Sequence, residues 1–353
     1  MNVLDQPTTV RAGEEVDAAA LQAWLRANVA EADEPPEIQQ FPRGFSNLTY
    51  GVRVGTHAWV LRRPPFGANI RAGHDMGREY RILQALHGSA VRVPRPIAFC
   101  ADESVLGAPF YLMERVQGVI LRNRPPAGLL LDPPTMRRVC VGLLDTLVAL
   151  HRVPYETVGL GDLGKPAGYT ARQVAGWTQR YANARTDDLG DMDALAAWLS
   201  ANTPATHEAA LIHNDFRYDN VVLDPDDLGQ IRAILDWEMA TLGDPLTDLG
   251  VTLAYWAEAD DPPSLQQFGL SWWPGNLRRA EVAAYYAEQS GRDIANILFY
   301  YVYGLFKNGV IAQQIYARYR QGLTHDSRFG GLLQVVRDNA ALGIRALERG
   351  GIH

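Results

Sequence analysis

Cysteine is nearly missing from this chain. Cys100 and Cys140 are the only two in 353 residues, and they stand in no metal-ligand spacing, so neither a disulfide framework nor a zinc centre is expected to hold the fold. Long apolar runs are missing as well: none approaches the ~18 residues of a membrane span. The opening MNVLDQPTTV lacks the basic and apolar regions of a signal peptide, and the expectation is a cytoplasmic protein with no membrane contact. Positive charge is in deficit, 33 Lys and Arg against 40 Asp and Glu, and a net charge of -7 argues against bulk binding to nucleic acid. No internal repeat or low-complexity tract interrupts the chain. What is present is ample apolar material, 47% of residues, enough for one large or two medium domains with substantial cores.

The densest chemistry lies between Leu211 and Gly250. HNDFRYDN follows Leu211-Ile212, sets Asp215 five residues before Asn220, and runs directly into the apolar Val221-Val222-Leu223. A turn at Asp224-Pro225-Asp226-Asp227 leads to a second strand-like run, Ile231 to Leu235, which ends at Asp236. Asp and Asn often do no more than cap turns, and either Asp215 or Asn220 alone is explained that way. Together, a carboxylate, an amide five residues on and a second carboxylate beyond a hairpin resemble the protein-kinase pattern H-R-D-x-x-x-x-N followed by D-F-G. Phosphoryl transfer needs a hydroxyl aimed and phosphate charge neutralised more than it needs covalent help. In that frame Asp215 orients or deprotonates the hydroxyl, while Asn220 and Asp236 are hard oxygen ligands for magnesium that leave coordination positions to a nucleotide.

The wording is closer to one branch. HNDFRYDN, LDWEMATLGDP and TDLG resemble the H-G-D-x-x-x-x-N and D-W-E-x-A-x-x-G-D-P-x-x-D-L signatures of the aminoglycoside phosphotransferase and choline kinase family. Within it the chain is most similar to the kinase-like domains associated with acyl-CoA dehydrogenases. The resemblance spans nearly the whole chain, is most specific at residues 213 to 250, and departs at Asn214, where glycine is usual. It implies a bilobal, protein-kinase-like α+β fold: an antiparallel-sheet N-lobe over residues 1–115 and a larger, mainly helical C-lobe over 116–353.

The earlier chain takes its reading from that frame. Asp17 can cap a helix bearing Leu21, Trp24, Leu25 and Val29 at helical spacing, ended by Glu34-Pro35-Pro36. Ile38–Phe41 and Thr49–Val54 read as strands flanking a loop in which Gly44 permits close backbone approach to phosphates and Ser46 or Asn47 donates hydrogen bonds. An ordinary turn would use the same residues. The next strand, His57–Arg62, sets Ala58, Val60 and Arg62 on one face, with Val60 or Ala58 above the adenine. Arg62, or Arg63 beside it, stands where the kinase lysine grips the α- and β-phosphates, and a guanidinium fork can do so. Glu79, on a helix at 78–86, occupies the place of the glutamate that pairs with that cation, though a surface glutamate between Arg78 and Arg81 fits the pattern too.

After strands at 97–100 and 109–113, Met113 falls at the gatekeeper position, and the Glu114 carbonyl and Val116 amide are placed to bond adenine. Met136 to Leu150 marks a long amphipathic helix ending at His151, read as packing; His213 is read as a brace for the catalytic loop. Asp244-Pro245 is a helix start, and with Asp248 it is expected to anchor the loop carrying Asp236. From residue 300 to 349 there are seven Lys or Arg against three acids, and Lys307, Gln314 and Arg318 can share a helical face suited to an anionic substrate. The expected activity is ATP- and magnesium-dependent phosphorylation of a hydroxyl on a small molecule, such as a hydroxyacyl-CoA. An aminoglycoside kinase would need an acidic acceptor surface, and a nucleotide-binding scaffold without activity would find support only in Arg62.

Overall fold

The computed structural model describes residues 4–30, 32–41, 47–66, 74–205, 208–324 and 326–352. Local sequence signals become elements wherever a cap and a period agree. Helix α1 (Ala18–Asn28) starts where the Asp17 carboxylate accepts from the Ala19 and Ala20 amides, and it buries Leu21 and Leu25. Strands β1 (Glu37–Gln40), β2 (Leu48–Val54) and β3 (His57–Arg63) follow as an antiparallel meander, with the Gly55 turn at positive φ. Helix α2 (Met76–Leu86), capped by Asp75, buries Met76, Glu79, Ile82, Leu83 and Leu86 on one side. Then come β4 (Pro96–Cys100), the short α3 (Glu103–Leu106) and β5 (Phe110–Glu114). The sheet order is β1-β2-β3-β5-β4, all neighbours antiparallel.

The two-residue period of β3 divides the sheet's faces. Trp59 and Leu61 pack with α1, Tyr50 and Phe110 into one core, whereas Val60, with Met113 opposite it in register, joins the core shared with α2 and the helical body. Arg62 lies on that second face.

The body is mainly helical: α4 (Pro133–His151), α5 (Tyr169–Ala184), α6 (Gly190–Ala201), α7 (Pro245–Tyr255), α8 (Pro263–Gln266), α9 (Arg279–Ser290), α10 (Ile297–Arg320) and α11 (Leu332–Arg349). Two small antiparallel pairs sit between α6 and α7: β6 (Ala210–Ile212) with β9 (Thr241–Gly243), and β7 (Val221–Leu223) with β8 (Ile231–Ile234). A single apolar core runs from α4 through β7 and β8 to α7, α10 and α11. Its tightest crossing joins α7 and α10, where Gly250 and Gly304 face each other's helix so closely that a methyl on either would strike backbone. Among the described residues no helix is long and apolar enough to cross a membrane.

Candidate active site

The two β-pairs present the loops that matter. Asp215 lies just after β6, Asn220 just before β7, and Asp236 just after β8. The Asn220 amide group donates to the Asp215 carbonyl at 2.8 Å and to its carboxylate Oδ2 at 2.7 Å, so the five-residue spacing closes into one loop. With its N–H bonds spent on Asp215, the Asn220 Oδ1 remains as a neutral oxygen ligand. The Leu235 N–H donates to the Asn220 carbonyl at 2.8 Å, and a ring nitrogen of His213 lies 2.8 Å from the Leu235 carbonyl. These bonds set the segment ending at Asp236 directly against the loop carrying Asp215, and His213 braces it as expected.

Asn214, at φ 65°, and Asp236, at φ 63°, are the non-glycine residues in the left-handed region among the described residues. Such backbone persists only when its surroundings over-determine it. For Asn214 the determinants are on all sides. Its N–H and that of His213 both donate to the Asp248 carboxylate at 2.7 Å, and its side-chain amide donates to the Tyr169 hydroxyl and the Met239 carbonyl. Asp248, fully buried on α7, also meets His151 at 3.1 Å, and the far side of that ring meets the Tyr286 hydroxyl at 2.7 Å. Burial raises the Asp248 carboxyl, but the His151 bond and both histidines together hold it below the usual carboxylate range. Asp248 therefore grips the loop of Asp215, correcting the expectation that it anchors the loop of Asp236. Asp244 caps α7 through the Leu246 amide and accepts from the Tyr300 hydroxyl.

Across the cleft, Arg62 converges on the same point. Its guanidinium is 3.4 Å from Glu79, 3.0 Å from Asp236 and 3.8 Å from Glu238. Burial alone would lower its pKa, but Glu79 and Asp236 hold it firmly protonated, while burial pushes the Glu79 carboxyl up against the pull of Arg62. Glu79 also accepts from the Tyr111 hydroxyl at 2.8 Å, and Asn47 donates to both Glu79 and Glu238. Arg63, the alternative contact, points elsewhere: it is buried, donates to the Leu106 carbonyl and stacks on Phe66. Met113 and Val60 face each other across β3 and β5. Val116 packs with Ile120, Val222, Ala233 and Leu235 in a small apolar patch, and its N–H makes no hydrogen bond among the described residues. The Glu114 N–H is taken by the Arg95 carbonyl. Gly44 and Ser46 lie outside the described residues.

A second expectation is overturned. Lys307 and Arg318 do not form a basic surface: Arg318 is exposed, whereas Lys307 is buried, with its ammonium donating to the Asn214 carbonyl at 2.7 Å. Two side chains in the signature stretch had been given no role. Arg217 stands 3.2 Å from Asp215 and 3.0 Å from Asp219, over the Tyr255 ring, and Glu238 completes the acids around Arg62. A cation two residues past Asp215 and an acid two past Asp236 were the available signals.

Among the described residues no three His, Cys, Asp or Glu side chains group to hold a metal. Asn220 Oδ1 and the partly exposed Asp236 carboxylate are hard oxygen donors that would supply part of a magnesium octahedron, with nucleotide phosphates supplying the rest. A five-stranded sheet over a helical body, with these loops in the cleft, defines a bilobal kinase-like fold and a small-molecule phosphotransferase. Residues 37–285 match the phosphotransferase enzyme family, and the chain belongs to it.

Human acyl-CoA dehydrogenase family member 11 is 33% identical over 340 residues, covering 94% of this chain but 43% of that protein; the chain thus spans under half the length of such relatives. A solved Ralstonia eutropha structure, provisionally described as an aminoglycoside phosphotransferase, superposes with a TM-score of 0.81 at 30% identity, covering 95% of this chain and 99% of that one. A thermostable mutant aminoglycoside phosphotransferase, solved as a ternary complex with AMP-PNP and hygromycin B, shares the fold at a TM-score of 0.54 and 16% identity, covering 90% and 99%.

Proposed function

We propose that the chain transfers the terminal phosphoryl group of ATP to a hydroxyl of an anionic small molecule, of which a 4-hydroxyacyl-CoA is the leading candidate. The observation that carries this reading is the meeting of Asp215, locked by Asn220, with Asp236, locked by Arg62 and Glu79 from the opposite side of the cleft. Asp215 orients the acceptor hydroxyl and takes its proton as oxygen attacks phosphorus and the bond to the ADP oxygen breaks. Arg62 holds phosphate oxygens through its fork, with Glu79 fixing its direction. Met113, Val60 and the patch around Val116 and Val222 enclose the base, and the Val116 N–H is an open donor toward it. Asn220 and Asp236 would hold magnesium, which when bound would neutralise phosphate charge.

The acceptor class follows from charge and from kinship. Arg217 lies beside Asp215, a cation that favours anions and disfavours a polycation. The similarity to acyl-CoA dehydrogenase family proteins supports an acyl-CoA acceptor. The related enzyme crystallised with hygromycin B supplies the competing substrate. The test offers magnesium-ATP with 4-hydroxyacyl-CoAs and with kanamycin or hygromycin B, detecting the phosphorylated product by mass. Product from the acyl-CoA is expected; efficient phosphorylation of the aminoglycosides alone would overturn the acceptor assignment.

A further inference from the structure

Lys307 is a lysine in the wrong place for a packing residue. It lies on α10 one turn past Gly304, where the glycine-to-glycine crossing with α7 brings α10 against the loop that follows β6. Its side chain is buried, its one hydrogen-bond partner among the described residues is the Asn214 carbonyl, and the Trp177 ring centroid lies 5.8 Å from the ammonium. That carbonyl belongs to the peptide whose nitrogen is that of Asp215. Asp248 already holds the N–H of Asn214 at 2.7 Å, so an anion grips one end of this left-handed residue and a cation the other. An amide pinned in this way has no freedom to rotate, and the direction of the Asp215 side chain is set with it.

We propose that Lys307 is a positioning residue for phosphoryl transfer, its ammonium fixing the Asn214–Asp215 peptide and thereby the aim of the Asp215 carboxylate at the acceptor. The inference rests on the kinase reading above. A merely space-filling residue here would be apolar, because burying an ammonium against a single carbonyl is costly. The charges that face it are Asp215 and Asp248, which favour the cation, and Arg180 and Arg217, which oppose it. Burial outweighs the acids and brings the ammonium down to about 8. The hold on the loop therefore weakens as pH rises through that value, where the amine becomes neutral and its bond to the carbonyl loses the assistance of charge.

The experiment compares wild type, Lys307→Met and Lys307→Arg. It measures magnesium-ATP affinity by calorimetry, slow magnesium-ATP hydrolysis with water as acceptor between about pH 6 and 9.5, and hydrogen exchange of the 211–220 amides. Methionine is expected to lower kcat at least about tenfold, with nucleotide Kd within about twofold, and to speed exchange at Asp215 and Phe216. The wild-type rate should fall on the alkaline side near pH 8, and arginine, which stays charged, should move that fall out of range. Lys307→Met with wild-type kcat and exchange overturns the proposal, as does an alkaline fall that arginine leaves in place. Should methionine prevent folding, the arginine and wild-type pH profiles decide. A wild type that neither binds nor hydrolyses ATP rejects the kinase reading instead, and exchange alone then judges the hold of Lys307 on the loop.

Discussion

The guanidinium of Arg62 lies 3.0 Å from the carboxylate of Asp236, joining the sheet to the loop that follows β8. Glu79 and Glu238 share the same cation, so one positive charge serves three acids in a largely buried cluster. Removing it should cost more than nucleotide affinity. For Arg62→Ala we expect destabilisation of about 3–5 kcal/mol, because Glu79 is left buried without its partner, together with a raised KM for ATP. Lysine should restore part of both. Urea melts and nucleotide titrations on the two variants check this, and an alanine variant as stable as wild type would refute the role of the cluster.

Asp215 and Asp236 should separate cleanly in a two-way comparison. Asp215→Asn keeps the shape of a residue that Asn220 holds in place but removes the charge facing the hydroxyl, so turnover should fall by at least about a hundredfold with nucleotide affinity nearly unchanged. Asp236→Ala should instead abolish the magnesium dependence of nucleotide binding. Calorimetry with and without magnesium distinguishes the two, and identical metal dependence in wild type and Asp236→Ala would remove Asp236 from the metal site.

Asp248 is predicted to matter for the loop rather than for binding. Asp248→Asn turns the acceptor for two backbone N–H groups into a neutral amide, at a cost of about 3 kcal/mol near neutral pH. The carboxyl of Asp248 is held below its ordinary range, so its contribution is complete above that range and disappears as pH falls through the depressed value. Wild type and variant should therefore converge in stability as pH falls below the usual carboxylate range. Parallel denaturation at neutral and acid pH tests the convergence.

Lys307 carries a pH signature of the same sign in an alkaline window. Its ammonium is lowered from 10.5 to about 8 by burial, so between those values the unfolded chain binds more protons than the folded one. Folded-state stability at this site accordingly rises with pH across that window, while the penalty is complete below it. Measured against Lys307→Met, wild type should gain up to about 3 kcal/mol between pH 8 and 10.5. A flat difference across the window would show that the ammonium is not buried as described.

How much of this was readable in advance depends on whether a signal was local. The strands β1 to β5 and the helices α1, α2 and α4 were legible because their caps and apolar periods lie within the elements themselves: Asp17 and the spacing of Leu21 and Leu25, or the alternation through Val60 and Arg62. Asp215, Asn220 and Asp236 were legible because a loop of fixed length brings the first two together and a hairpin of fixed length returns the third.

Tertiary packing alone decided which way the remaining charges face. Periodicity placed Lys307 and Arg318 on a common side of α10, but a helix face has no intrinsic exposure, and the close crossing of Gly250 and Gly304 buries that face at Lys307 while leaving Arg318 outside. The partners of Asp248 and of Arg62 likewise come from residues far away in the chain: the N–H groups at 213 and 214, the ring of His151, and the acids at 79, 236 and 238. Such pairings are set by where whole elements dock, because a charge buried by that docking must find its counter-charge wherever the fold has put it.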